Sequence, residues 1–246
     1  MGHDLTVRFR KARRDPELTV VEGFHALKHA LRFGAELVEA VAVDPPRLER
    51  LASELAADLA GDLAGRVERV DAADLAELAP LVPRTGVIAI ARRPPLDLAA
   101  VLADPRPAPV VLLEQPKNMG NIGACIRVAA AANAAAVLST GENDPWYPDA
   151  VRGAAGLHFA LPVAAIETLP ASDRPLLAID PEGEDLHPDR LPARAVLAFG
   201  TERHGISGEL LERADARIAI PMRAGVSSLN LATSVAVTLF AMRLAS

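Results

Sequence analysis

The sequence predicts an α/β protein of two domains, and three observations carry that prediction. Residues 20 to 91 alternate short β-branched runs with helical patterns. Five prolines crowd into residues 92 to 109. From Val110 onward, stronger apolar runs alternate with helical patterns, as in a parallel sheet covered by helices on both faces. In such sheets a ligand sits outside the carboxyl ends of the strands, so the loops after the later strands are the expected place for a site.

The elements follow in order. Val20-Val21 leads into a helical stretch from Gly23 to Phe33, and Leu37 to Val43 reads as a strand. A helix from Leu48 to Leu59, a strand from Arg66 to Val70, a short helix from Ala72 to Leu78 and a strand from Val87 to Ala91 that closes the sheet complete the first unit. Pro94, Pro95, Pro105, Pro107 and Pro109 mark a linker over residues 93–109. Residues 110–246 then carry strands at Val110–Leu113, Ala135–Ser139, Leu176–Asp180, Ala195–Phe199 and Arg217–Ile220. Helical patterns at Ile122–Ala132, Ser207–Ala214 and Ser228–Leu244 fall between or after them.

Composition excludes several classes. The chain has 246 residues, half of them hydrophobic, enough for a large core. Its net charge of −6 argues against a protein that coats polyanions indiscriminately, so any nucleic-acid contact must be local. Residues 1 to 14 are the electrostatic outlier: Arg8, Arg10, Lys11, Arg13 and Arg14 against the single acid Asp4 give this arm +4, while the other 232 residues carry −10. The arm reads either as an RNA contact or as a solvated tail. One cysteine, Cys125, excludes an internal disulfide framework and a multi-cysteine metal site, and fits a reducing, cytoplasmic setting. No metal is expected. No apolar run reaches the length of about 18 residues that spans a bilayer, and no signal sequence is visible. The start Met1-Gly2-His3-Asp4-Leu5-Thr6 fits a myristoylation pattern formally, as an accident of composition. Arg outnumbers Lys by 23 to 3, which reads as genomic bias rather than function.

Three clusters follow strand ends in the second half. The first, Asn118 to Arg127, combines glycines that let backbone amides approach a ligand, an asparagine able to cap a helix, and an arginine inside that helix. Alone it reads as an ordinary turn. The second, Phe199 to Ser207, places Gly200 at a strand end and the Glu202 carboxylate beside it; His204 has no partners at metal-ligand spacing and reads as a loop residue. The third, Ile220 to Ser234, loads the start of an apolar helix with Ser, Asn and Thr, a local cost unless they cap the helix or bind something.

Together these clusters resemble the signature of the SpoU (TrmH) family of RNA ribose 2′-O-methyltransferases, within the knotted SPOUT superfamily. Asn121, Gly123 and Arg127 meet its first motif; Gly200, Thr201, Glu202 and Gly205 meet the second; Ile220–Met222 with Ser228–Asn230 meet the third. Asp144 to Pro148 and Val151 to Gly156 look like its connecting segment. The resemblance implies a small ribosomal-protein-like substrate-binding domain over residues 1–92, with the basic N-terminal arm, and a knotted parallel-sheet methyltransferase domain over residues 110–246. It also implies a homodimer through the C-terminal domain and S-adenosyl-L-methionine as cofactor. In that reading Gly200, Ile220 and Leu229 hold the adenosine, Met222 lines its pocket, and Asn121, Arg127, Glu202, Ser228 and Asn230 surround the reaction. Where the family often has Ser-Leu-Asn-Val-Ser, this chain has Ser-Leu-Asn-Leu-Ala-Thr-Ser, which leaves the roles of helix residues beyond Asn230 open.

The implied reaction needs a poor nucleophile, a ribose hydroxyl, to lose its proton. No histidine falls in the family's base position, so the resemblance gives Arg127 the role of the family's motif arginine, holding the target phosphate and hydroxyl; a guanidinium is locked protonated, which favours proton loss assisted by the phosphate. Aromatics are only 3% of the chain, so RNA recognition rests on arginines and shape rather than stacking. The N-terminal domain favours 23S rRNA over tRNA as substrate. A non-catalytic RNA-binding relative is the rival from another class, opposed by the presence of Arg127, Glu202 and Asn230. A nicotinamide enzyme is excluded by the missing glycine fingerprint.

Overall fold

A computed structural model of the chain describes residues 2–63, 65–201 and 204–245. Two compact units emerge from its contacts. Residues up to Pro95 join Trp146–Ala160 in one, and Leu96–Pro145 joins the residues from Leu161 onward in the other.

The first unit begins with helix α1 (Gly2–Ala12), which corrects the expectation of a free basic arm. Leu5, Phe9 and Ala12 recur at helical spacing and are buried against the sheet and α5, so the segment folds because its apolar stripe has somewhere to go. Two of its cations are spent internally. Arg8 grips the Glu39 carboxylate at 2.7 and 2.9 Å, and Arg13 donates to Glu22 at 2.8 Å and to the Leu78 carbonyl at 2.7 Å. Arg10, Lys11 and Arg14 remain exposed.

Strand β1 (Leu18–Glu22), α2 (Phe24–Arg32), β2 (Leu37–Ala42), α3 (Pro45–Leu55), α4 (Ala60–Leu63), β3 (Glu68–Arg69), α5 (Ala72–Leu78) and β4 (Val87–Arg92) follow. The Asp44 carboxylate caps α3 by accepting the Arg47 N–H at 3.0 Å. The sheet order is β1-β4-β2-β3: β4 runs antiparallel between β1 and β2, so it is the centre of the sheet and not the closing edge the sequence suggested. Val20, Val41, Ile88 and Ile90 form the core under α1 and α5.

From Leu96 the chain enters the second unit. Helix α6 (Leu98–Ala103), capped by Asp97, buries Leu102 in the main core, so the proline-rich stretch is not a free linker throughout. Arg174 is buried and donates to the carbonyls of Leu102, Ala108 and Asp104 at 2.8 to 2.9 Å, satisfying the end of α6 and the turn into the sheet. β5 (Val110–Leu113), α7 (Met119–Ala131) and β6 (Ala136–Ser139) come next. α7 ends on Asn133 at φ 60, the left-handed terminator position that asparagine tolerates.

Residues 146–160 then pack with the first unit, as helix α8 (Pro148–Gly153) and a 3₁₀ turn at Leu157–Ala160. Thr19 Oγ1 donates to the Trp146 carbonyl at 2.9 Å, and Arg152 meets Glu22 at 2.6 Å. Glu22, 1% exposed, therefore lies between two guanidiniums, from Arg13 and Arg152. His29 Nδ1 lies 2.8 Å from the Ala155 carbonyl; burial holds this imidazole below its ordinary pKa, against the opposing pull of that carbonyl. Gly156, at φ 76, passes so close to α2 that a Cβ there would lie 2.1 Å from the Ala26 carbonyl oxygen.

The second unit resumes with β7 (Val163–Ala165), β8 (Leu176–Asp185), β9 (Val196–Phe199), α9 (Gly208–Arg213), β10 (Ala216–Ala219) and α10 (Leu231–Ala245). All six strands are parallel, in the order β10-β8-β9-β5-β6-β7, which bears out the predicted architecture and adds β7. Ile179, Phe199 and Leu113 stand level across β8, β9 and β5, so β9 and β5 end side by side while β8 runs on to Asp185. Among the described residues no helix is long and apolar enough to cross a membrane.

Replacing Gly156 by Ala strains a left-handed residue and drives a methyl into the α2 backbone, so Gly156→Ala is expected to lower stability by about 2 to 4 kcal/mol. The single tryptophan, Trp146, lies in the affected segment. Urea titrations followed by its fluorescence check this, and an unchanged midpoint would contradict the packing described.

Candidate active site

The site is built where β9 and β10 end, against the middle of β8. Gly200 follows β9, and a Cβ on it would sit 2.0 Å from the Gly205 carbonyl carbon, so the strand exit turns back on itself only because residue 200 has no side chain. The turn is closed by a two-way bridge: Thr201 N–H donates to the Gly205 carbonyl and Gly205 N–H to the Thr201 carbonyl, both at 3.0 Å. His204 N–H donates to Thr201 Oγ1 at 3.0 Å, so the backbone of this residue is part of the turn. Its histidine side chain is exposed, as the loop reading expected.

The far end of the loop is anchored by Glu114, immediately after β5. Its carboxylate accepts the Ser207 N–H at 2.7 Å and the Ser207 Oγ–H at 2.6 Å, while Ser207 Oγ accepts the Leu210 N–H at 3.2 Å and so caps α9. One carboxylate thus ties the exit of β5 to the loop that leaves β9.

A cavity of about 290 Å³ opens beside this turn. It is lined by Gly200, Thr201 and Gly205, by Ile220, Met222, Ser227, Ser228 and Leu229, by Leu231 and Ser234 of α10, and by Ile179, Asp180 and Pro181 in the middle of β8. The walls are largely apolar, with hydroxyls from Thr201, Ser227, Ser228 and Ser234. Such a slot suits a planar heterocycle carrying polar substituents.

Beside it, the helices α7 and α10 begin at one point. Asn118 Oδ1 accepts the Asn121 N–H at 2.9 Å and caps α7, and Asn230 Oδ1 accepts the Ala232 N–H at 2.9 Å and caps α10. Asn230 Nδ2 then donates to Asn121 Oδ1 at 3.2 Å, joining two of the sequence clusters. Both helices start differently from the sequence reading: α7 begins at Met119, and Ser228–Asn230 precede α10 instead of opening it.

Of the residues singled out from sequence, Gly200, Ile220, Met222, Ser228 and Leu229 line one cavity, and Asn121 and Asn230 meet. Arg127 is exposed on α7 and is not among the lining residues. Glu202 lies outside the described residues. Sequence reasoning missed Glu114, which directly follows the end of β5 where ligand sites form, and Asp180, which lies within β8 where its pairing with β9 stops. Among the described residues no group of three His, Cys, Asp or Glu side chains could hold a metal ion.

The arrangement has known counterparts. Residues 108–240 match the model of the SpoU rRNA methylase family, and residues 20–96 match that of the RNA 2′-O ribose methyltransferase substrate-binding domain. The chain belongs to the SpoU rRNA methylase family. Within it, an uncharacterized tRNA/rRNA methyltransferase of Mycobacterium bovis is 36% identical over 169 residues, a match that spans 63% of this chain and 58% of the relative. A 23S rRNA (adenosine(1067)-2′-O)-methyltransferase of Streptomyces azureus is 28% identical over 94% of this chain and 87% of its own length. The crystal structure of an AdoMet-bound rRNA methyltransferase from Sinorhizobium meliloti superimposes with a TM-score of 0.76 at 26% identity, over 99% of this chain and 94% of that one.

Removing the Glu114 latch releases the loop that SpoU motif residues occupy. Glu114→Ala is expected to speed amide exchange at Ser207 and Leu210 and to lower stability by about 1 to 2 kcal/mol. Ser207→Ala removes the Oγ–H bond to Glu114 and the cap on Leu210 while the residue-207 N–H keeps its carboxylate, so the double variant should lose less than the sum of the two single losses. Additive losses would show that the two residues act independently.

Proposed function

We propose that this protein transfers a methyl group from S-adenosyl-L-methionine to a ribose 2′-hydroxyl in structured RNA, with 23S rRNA as the substrate. The observation that carries the reading is the single cavity lined by Gly200, Ile220, Met222, Ser228 and Leu229, with the Asn121–Asn230 pair at its side. The apolar walls fit an adenine, and the hydroxyls fit a ribose and an amino-acid tail. Relatives matched over nearly the whole chain, in Streptomyces azureus and Bordetella pertussis, are named as 23S rRNA 2′-O-methyltransferases, which favours rRNA over tRNA.

The cofactor supplies an electrophilic methyl group when bound. Backbone groups at Gly200, Ile220 and Leu229 hold the adenosine and Met222 packs on it. Asn121 and Asn230, each fixed at a helix start, orient the reacting ribose together with Ser228 and Glu202. Arg127 grips the target phosphate with its planar fork, which stabilises the charge that develops as the hydroxyl proton leaves through the phosphate. RNA is steered by the exposed Arg10 and Lys11 of α1 and Arg14 just after it. Arg8 and Arg13, already paired with Glu39 and Glu22, contribute less to it. The enzyme works in the cytoplasm, where its RNA is, and as a homodimer. Val237, Phe240 and Leu244 lie at helical spacing on the outer side of α10, are 38%, 38% and 85% exposed, and form the contact between subunits.

Isothermal calorimetry should register S-adenosylmethionine binding, and Arg127→Ala should leave that affinity within a few fold while slowing methyl transfer by roughly 10²-fold or more. Near-normal turnover, or loss of cofactor binding in folded protein, would remove Arg127 from the reaction. A native protein that binds no cofactor would remove the whole reading. Light scattering should give twice the 25.9 kDa chain mass, reduced to one chain by Phe240→Asp. A native mass of one chain would exclude the dimer.

A further inference from the structure

Asp180 stands apart within the cavity. It is the one lining residue, among those described, with an ionisable side chain; its neighbours there are apolar groups, glycines and hydroxyls. It follows Ile179, the last residue of β8 that pairs with β9, and so stands level with the point where β9 delivers Gly200, among the residues that line the pocket. The Glu182 N–H donates to its Oδ1 at 2.8 Å, which pins the carboxylate and leaves Oδ2 available. The residue is half-buried, so a charge on it is screened less than one on the open surface.

The chemistry of the ligand supplies the partner. S-adenosylmethionine carries three charges: an α-carboxylate and an α-ammonium that neutralise one another on the same carbon, and a sulfonium with no counter-ion of its own. Its net charge is +1. Methyl transfer turns the sulfonium into a thioether, and the product is left with net charge zero. The one ionisable group among the described lining residues, a carboxylate, therefore favours the reactant over the product.

We infer that Asp180 is a specificity-determining residue whose carboxylate provides the counter-charge to the cofactor sulfonium, and that it thereby makes the pocket bind S-adenosylmethionine in preference to S-adenosylhomocysteine. The inference rests on the proposed use of that cofactor. It gives the protein a means of releasing product, because the attraction at Asp180 disappears in the step that completes the reaction.

The test compares four ligands by calorimetry on the full chain, native and Asp180→Asn. Asparagine keeps an oxygen for the Glu182 N–H, so the turn and the fold are retained, which a thermal melt verifies. S-adenosylmethionine and sinefungin, whose amine replaces the sulfonium as a cation, should each lose about fivefold to tenfold in affinity, the scale of one partly exposed charge pair. S-adenosylhomocysteine and methylthioadenosine, which lack that cation, should change by less than about twofold. Equal losses for all four ligands would mean that Asp180 reads the shared ribose and overturn the inference. Losses for every ligand except methylthioadenosine would point to the α-ammonium and overturn it also, as would no change for any ligand. If the native protein bound none of the four, the cofactor reading itself would fall and the inference with it.

Discussion

The backbone at residue 200 leaves no room for a side chain, and the candidate site depends on that constraint. With a Cβ there 2.0 Å from the Gly205 carbonyl carbon, only glycine lets the chain leave β9, turn through the Thr201–Gly205 bridge and re-enter a helix at Ser207. The turn forms one wall of the cavity, and the loop from Ile220 to Leu229 meets it from the other side. Because the sheet is parallel, these exits gather at one edge of it, and residues 80 or more positions apart, such as Glu114 and Ser207, become hydrogen-bonding neighbours.

In the first unit the comparable constraint is electrostatic. Glu22 is a buried carboxylate, which is tolerable only with partners, and it has one from each side of the sequence: Arg13, just past α1, and Arg152 from α8. Removing either arginine would leave the other holding a charge shared until then. The triad explains why the N-terminal segment is an ordered helix despite its basic composition. Phe9 and Leu5 supply the burial, and Arg13 is drawn inward by a carboxylate that needs it.

Much of this was legible in the sequence, for physical reasons that differ from place to place. Val110–Leu113 and Val196–Phe199 are continuous apolar runs because both of their faces are covered, and such runs announce themselves. The motif glycines and asparagines were visible because backbone approach and capping demand those residue types. β7 was missed because three residues carry too little periodicity. α1 was misread because five cations in fourteen residues hide an apolar stripe of Leu5, Phe9 and Ala12. Asp180 and Glu114 were passed over because a lone acid in or just after a strand carries no signal of its own until the fold sets it beside a cavity or a serine. The helix at Leu98–Ala103 was obscured by prolines on both sides of it.

The membership of residues 146–160 in the first unit has a consequence for the order in which the protein can be made. A chain emerging from the ribosome has β1 to β4 complete once residue 92 is out, yet the partner of Thr19, the second guanidinium on Glu22 and the glycine that seats against Ala26 are still 54 to 64 residues from synthesis. Until then Glu22 has only Arg13 to neutralise it, and the surface of α2 that receives Gly156 is open to water. The N-terminal sheet therefore waits in an unfinished form while β5, α7 and β6 of the other unit are being translated. It is sealed by a segment that arrives from the middle of the neighbouring fold.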